Sequence, residues 1–226
     1  MKVDIVVFIL AQGRGSLMRI LIADDHPVVR RGLVQILADS HNKAFVGEAK
    51  DAYEAMDMIR GHAWDVILVD ITMPGKSGLD LLKELRCEYP KLPVLILSIH
   101  PEEQFAVRVL KAGAAGYITK ETCSDVLLGA IRKVIQGGKY VSSALAERLA
   151  IDLETDFEKP RHEKLSDREY QVLRMLASGK PARDMAKVLS LSVKTIHTYR
   201  ARVLEKMQMK SNTQLIQYAV QNRLVD

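Results

Sequence analysis

Two short runs, Val66-Ile67-Leu68-Val69 and Val94-Leu95-Ile96-Leu97, are continuously apolar, and each stops on a polar residue, Asp70 or Ser98. A strand with one wet face alternates apolar and polar residues. A short run without alternation, bounded by turn-formers, fits a strand covered on both faces. Three more runs match, at Arg19–Ala23, Ala44–Ala49 and Gly116–Thr119, and amphipathic stretches separate all five. Those stretches carry helix starts: Pro27 suits a first helical position, and Asp51-Ala52-Tyr53-Glu54 and Ser77-Gly78-Leu79-Asp80 resemble capping boxes. Five βα units in about 120 residues predict an α/β, doubly wound, five-stranded parallel sheet with helices on both faces. Such a sheet binds its ligand beyond the carboxyl ends of its strands.

The strand signals stop before Gly137-Gly138. A helix from Ser142 to about Leu153 leads into Glu154-Thr155-Asp156-Phe157-Glu158-Lys159-Pro160, a charged linker ended by proline. From Leu165 onward the pattern is helical, with starts at Ser166, Pro181, Ser192 and Ser211. The expected division is an extension over 1–17, an α/β domain over 18–140, a helix and linker over 141–160, and an all-α domain over 161–226. Of 33 Lys and Arg, 13 fall in 161–226, against 6 of the 28 Asp and Glu, so that segment carries +7 and the remainder −2. A basic domain behind a slightly acidic one suggests a polyanion partner for the C-terminal part, although a solvated charged face has the same composition. Cys87 and Cys123 form neither a metal-ligand spacing nor a disulfide framework, which favours a reducing compartment. The apolar run Ile5–Ala11 is too short to span a bilayer; with Met18 directly before the first strand, residues 1–17 read as an upstream extension or a misplaced start.

The strand ends gather chemistry. Asp24 and Asp25 follow the first strand, Asp70 ends the third, Ser98 ends the fourth and Lys120 follows the fifth. Three carboxylates at one sheet edge repel one another, and one ammonium cannot offset them all. A hard dication such as Mg²⁺ can, taking carboxylate oxygens and leaving positions for water or phosphate. Asp70 precedes the turn Ile71-Thr72-Met73-Pro74-Gly75, which leaves its carboxylate at the mouth of the site, where it could attack phosphorus to give an aspartyl phosphate. Singly, an aspartate at a strand end is often a cap or turn former, and a Ser or Lys there is often merely solvated.

In combination these residues resemble the receiver domain of bacterial two-component response regulators, from Met18 to about Gly138, a flavodoxin-like fold. The resemblance implies that Asp70 is the phosphoacceptor and that Asp24 and Asp25 form the metal pair, with the Thr72 backbone carbonyl as a further ligand of Mg²⁺. It implies that Ser98 is the switch hydroxyl, Lys120 the family's lysine and Tyr117 its aromatic switch. Phosphorylation would draw Ser98 and Tyr117 inward. Thr72 and Ile99 flank the site and should affect the lifetime of the phosphoryl group.

In the basic domain, Pro181–Leu189, Ser190-Leu191-Ser192 and Val193–Met207 read as helix, tight turn, helix. On a helical wheel, Ile196, Tyr199, Val203 and Met207 share a face roughly 60° to either side of Ile196 and should meet the core. Lys194, Thr198, Ala201, Arg202 and Glu205 lie opposite, with Thr195 and His197 at the margins. Cations, small residues and hydroxyls on one helix face suit a major groove. The segment Leu165–Met207 resembles the four-helix LuxR-type helix-turn-helix, in the domain order of NarL/FixJ-type regulators. His197 and Tyr199 depart from that family's commoner lysine and histidine, so the target sequence is not inherited. The resemblance implies double-stranded DNA as a partner and a dimer contact through the last helix, where Leu215, Ile216 and Ala219 form an apolar stripe.

The expectation is a cytoplasmic transcription regulator, not an enzyme in its output, phosphorylated by a sensor histidine kinase and homodimeric when phosphorylated. Two rivals remain at this point. A haloacid-dehalogenase-like phosphatase usually carries D-x-D at its nucleophile, whereas Thr72 stands two positions after Asp70 here. A phosphorylation-independent DNA binder would use the first domain only for dimerisation.

Overall fold

The computed structural model describes residues 17–39, 44–147 and 160–225, apart from the side chains at 103 and 104. The chain divides into two compact units between Ala146 and Glu147. In the first, five parallel strands, β1 (Met18–Ala23), β2 (Ala44–Ala49), β3 (Val66–Asp70), β4 (Val94–Ser98) and β5 (Gly116–Thr119), stand in the order β2-β1-β3-β4-β5. Helices α1 (Pro27–Asp39), α2 (Ala52–Gly61), α3 (Gly78–Glu88), α4 (Glu102–Lys111) and α5 (Ser124–Ile135) connect and follow them. Every residue of β3 and β4 is buried, as the unalternating runs require.

Register places the strand ends together. Ala23 pairs with Val69, so Asp24 continues β1 beside Asp70 of β3. Ser98 pairs with Thr119, so Lys120 follows directly after it on the neighbouring strand. Strand order reverses between β1 and β3, which makes this edge the switch point of the sheet. Behind it, Ser77 and Asp80 form a reciprocal capping box at the start of α3. Gly78 lets that helix approach closely, because a Cβ there would run into the Asp70 main-chain oxygen. Asp51 caps α2 by accepting from Tyr53 and Glu54, but Glu54 accepts from the Lys50 amide instead of closing the box.

In the second unit, a 3₁₀ turn (Arg161–Lys164) precedes α6 (Asp167–Ala177), α7 (Ala182–Leu189), α8 (Val193–Met207) and α9 (Asn212–Gln221). Ser166 and Glu169 form the capping box of α6, and Ser192 caps α8 through the Thr195 amide. Ser190 turns the chain between α7 and α8 with φ 52°, a left-handed conformation uncommon for a residue other than glycine. Leu173, Met185, Leu189, Ile196, Val203, Met207, Leu215 and Ala219 fill the core. The helix expected from Ser142 begins at Ser143; its continuation past 147, the linker 154–159 and residues 1–16 lie outside the described residues.

Candidate functional site

At the carboxyl edge of the sheet, Asp24 and Asp70 are buried, and Asp25 is partly exposed. The Lys120 ammonium lies 2.7 Å from Asp24 Oδ2 and 2.9 Å from Asp70 Oδ2, bridging the two. Thr72 lies beside them, its amide donating to Asp70 Oδ1 at 3.2 Å. Burial pushes the Asp70 carboxyl up to about 6; Lys120 opposes the rise, and Asp24 adds to it. For Lys120, burial works against the charged form, but Asp70 and Asp24 outweigh it and hold the ammonium above its ordinary value. The nucleophile candidate is thus ionised at neutral pH yet poorly solvated, and a cation nearby would be welcome.

Among the described residues, Asp24, Asp25, His26 and Asp70 can each turn one ligand atom to within 4.8 Å of the others. Three carboxylates, two of them buried with one ammonium between them, fit a hard dication that takes oxygen ligands.

Two residues here had no place in the sequence reading. His26 directs Nδ1 at Asp25 Oδ1 (2.9 Å), while its amide donates to Asp24 Oδ1 at 2.8 Å. Arg30, one turn into α1, donates from Nη1 to the Asp24 carbonyl at 2.6 Å and from Nε to Glu48 at 3.2 Å, tying the acidic corner to β2. Their signal was proximity in sequence to Asp24-Asp25.

Ser98 and Tyr117 are both completely buried. The Tyr117 hydroxyl donates to the His100 carbonyl at 2.8 Å, and the His100 amide donates to Ser98 Oγ at 3.0 Å. Both side chains thus sit inside the domain, and the loop after β4 supplies a partner for each hydroxyl. Ile99 points outward and is 69% exposed.

On α8, Ile196, Val203 and Met207 are buried and Tyr199 is half-buried, while Lys194, His197, Thr198, Ala201 and Arg202 are exposed. Thr195 is half-buried and its hydroxyl is shared with Ser192 Oγ at 2.8 Å; the Thr198 hydroxyl donates to the Lys194 carbonyl at 3.1 Å. The stripe on α9 needs correction. Leu215 and Ala219 are fully buried within this domain and are not available to a second chain; the exposed apolar residues are Ile216 and Val220. One position along a helix turns the side chain by about 100°, enough to exchange a core face for a wet one.

Residues 20–132 match the response regulator receiver domain, and residues 163–219 match the bacterial regulatory proteins of the luxR family. The chain is 34% identical over 214 residues to the response regulator GacA of Pseudomonas aeruginosa, covering 93% of this chain and 99% of that one. It is 32% identical over 209 residues to UvrY of Escherichia coli, covering 92% and 96%. Among solved structures it is similar to RcsB of Salmonella enterica serovar Typhimurium bound to a promoter in the presence of the phosphomimetic BeF3-, with a TM-score of 0.59, 27% identity, and coverage of 89% and 97%. The chain belongs to the two-component response regulators of the NarL/FixJ type, which join a receiver domain to a LuxR-type DNA-binding domain.

Proposed function

We propose that Asp70 accepts a phosphoryl group from a sensor histidine kinase and that this modification controls DNA binding by the C-terminal domain. The observation that carries the reading is the buried Asp70 carboxyl joined to Asp24 through the Lys120 ammonium at the switch point of the sheet. An Asp70 oxygen attacks the phosphorus of the phosphohistidine, the P–N bond breaks, and its electron pair stays on the imidazole nitrogen of the kinase. No base is required, since the nucleophile is already an anion. Asp24, Asp25 and Asp70, with the Thr72 carbonyl, would hold Mg²⁺, which supplies positive charge against the incoming phosphoryl oxygens. Lys120 donates to one phosphoryl oxygen and Ser98 to another.

Phosphorylation would compete for the Ser98 hydroxyl and for Lys120, both now bonded inside the domain, and so repack the loop that holds Tyr117. In the C-terminal domain, Lys194, His197, Ala201 and Arg202 face the major groove of double-stranded DNA, with Thr195 and Thr198 beside them. Phosphorylated chains pair as homodimers, with Ile216 and Val220 as the exposed apolar contact on α9, and present two recognition helices to half-sites about one helical turn apart. Among the described residues, no helix is long and apolar enough to cross a membrane. The cytoplasm is where the kinase's phosphoryl and the DNA meet. The test is phosphate-affinity electrophoresis after incubation with acetyl phosphate, with and without Mg²⁺. A Mg²⁺-dependent shifted band that Asp70→Asn abolishes supports the reading, and a band that survives Asp70→Asn defeats it.

A further inference from the structure

The chain does not leave the first unit at the end of α5. After Gly137, in the left-handed region at φ 84°, it turns back and lies along β5, the edge strand of the sheet. The Lys139 ammonium donates to the Ala114 carbonyl at 2.6 Å, the Tyr140 amide donates to the Ala115 carbonyl at 2.8 Å, and Tyr140 forms a parallel bridge to Gly116. Gly116 is required there, because a Cβ would stand 2.6 Å from the Tyr140 main-chain oxygen. Running parallel to β5 carries the segment toward the carboxyl edge of the sheet. There the Ser142 hydroxyl donates to Glu102 Oε2, on the first residue of α4. The same hydroxyl oxygen accepts from the Leu145 amide at 3.1 Å, and the Leu145 side chain is buried.

Both fastenings adjoin the switch residues. Gly116 directly precedes Tyr117 on β5. Glu102 stands two residues beyond His100, whose carbonyl accepts from the Tyr117 hydroxyl and whose amide donates to Ser98 Oγ. Helix α4 opens at Pro101 without a side-chain cap, so its first residue follows the loop before it. We infer that residues 139–146 are a strap, latched to the unphosphorylated receiver by the Ser142–Glu102 bond, and that phosphorylation of Asp70 releases it. The inference rests on Asp70 being the phosphoacceptor and adds the route by which that modification reaches the chain leading to the second unit. A phosphoryl group that draws Ser98 Oγ toward itself pulls on the His100 amide bonded to that oxygen. The loop shifts, Glu102 moves with it, and a displacement of about 1 Å is enough to break its bond to Ser142. Released, residues 139–146 add at most roughly 26 Å of extended reach to the tether, against about 34 Å between neighbouring half-sites on DNA. The coupling is reciprocal: if phosphorylation weakens the strap, breaking the strap favours the phosphorylated form by the same factor.

The test uses full-length protein in Mg²⁺ with BeF3- as the phosphoryl analogue. Hydrogen exchange is read by mass spectrometry on peptides spanning 139–146, and BeF3- affinity by calorimetry, for wild type, Ser142→Ala, Glu102→Gln and Asp70→Asn. In wild type, BeF3- should speed exchange at the Tyr140 and Leu145 amides by about tenfold or more. Ser142→Ala should exchange faster before BeF3- is added and bind it about threefold or more tightly than wild type. Glu102→Gln keeps an oxygen acceptor for Ser142 and should fall between the two. Unchanged exchange in BeF3--bound wild type overturns the release, and wild-type or weaker BeF3- affinity in Ser142→Ala overturns the latch; both results leave the phosphoacceptor standing. Wild type that binds no BeF3-, or Asp70→Asn that binds it equally well, sinks the phosphoacceptor reading and this inference with it.

Discussion

Replacing Asp70 with asparagine should stabilise the receiver domain while it destroys the phosphoacceptor. Burial raises the Asp70 carboxyl from 3.8 to about 6. A difference of about two pKa units corresponds to roughly 3 kcal/mol of disfavoured charge at neutral pH. Asparagine keeps the shape and can still accept from the Thr72 amide, and the attraction of Lys120 is already contained in the shift, but its amide NH2 buries two donors beside that ammonium, so the net gain should be about 1–2 kcal/mol. The sign of the pH dependence follows from the direction of the shift. Between the unfolded value near 3.8 and the folded value near 6, the native state binds the extra proton, so wild type recovers stability as the pH falls. From about pH 7.5 to about pH 5, the gap between variant and wild type should shrink by about 1.4 kcal/mol, because other groups titrate alike in both proteins. Trp64 is the sole tryptophan and is buried in this domain against Phe45, so tryptophan fluorescence during urea unfolding in a chelator reports the receiver's transition. Adding Mg²⁺ should close the gap from the wild-type side, since an ion bound to the native state adds stability by mass action. A variant no more stable than wild type at pH 7.5, or a gap that does not narrow on acidification, would refute the argument from burial.

Three other outcomes follow from the second domain. Lys194→Ala should weaken DNA binding and reduce the salt dependence of log K by about one unit, read by fluorescence anisotropy across a salt series; an unchanged slope removes Lys194 from the phosphate contacts. The Glu169 carboxyl is buried, which alone would raise its pKa, but Lys206 at 2.6 Å and the Ser166 amide at 2.7 Å overcome that and hold it below its ordinary value. Its contribution is therefore present above the unfolded value of 4.5 and lost as the pH falls through the folded one. Lys206→Met should cost about 1–2 kcal/mol at neutral pH, discounted for the exposed lysine, and less in acid; circular dichroism of the helical transition checks this. Ile216→Asp should abolish dimerisation of the phosphorylated protein and leave folding intact, as sedimentation with a matched thermal melt would reveal; dimers that persist place the contact elsewhere.

Much of the fold was legible because burial on two faces leaves an unmistakable pattern. Val66–Val69 and Val94–Leu97 could be covered strands, and the polar residue ending each run marked the site edge. Short-range chemistry was equally legible: the boxes Ser77/Asp80 and Ser166/Glu169 form as their spacing predicts. Contacts that depend on how an element leans were not. Arg30 reaches the Asp24 carbonyl across the turn from β1 into α1, six residues back, and no periodicity encodes that. Tyr117 is inward because its hydroxyl finds a main-chain oxygen at His100, seventeen residues earlier, in a loop without sequence signature. On α9 both Leu215/Ala219 and Ile216/Val220 are apolar pairs at helical spacing, so the sequence admits two faces, and only packing against α6 and α8 decides between them.

The claim at the centre of this account is that Asp70 carries the phosphoryl group. The most direct measurement traps the acyl phosphate by borohydride reduction after acetyl phosphate and Mg²⁺ treatment and locates the resulting homoserine by peptide mass spectrometry. The account predicts homoserine at position 70, absent without Mg²⁺ and absent in Asp25→Asn. Homoserine at Asp24 or Asp25, or none anywhere in folded, Mg²⁺-loaded protein, would contradict it.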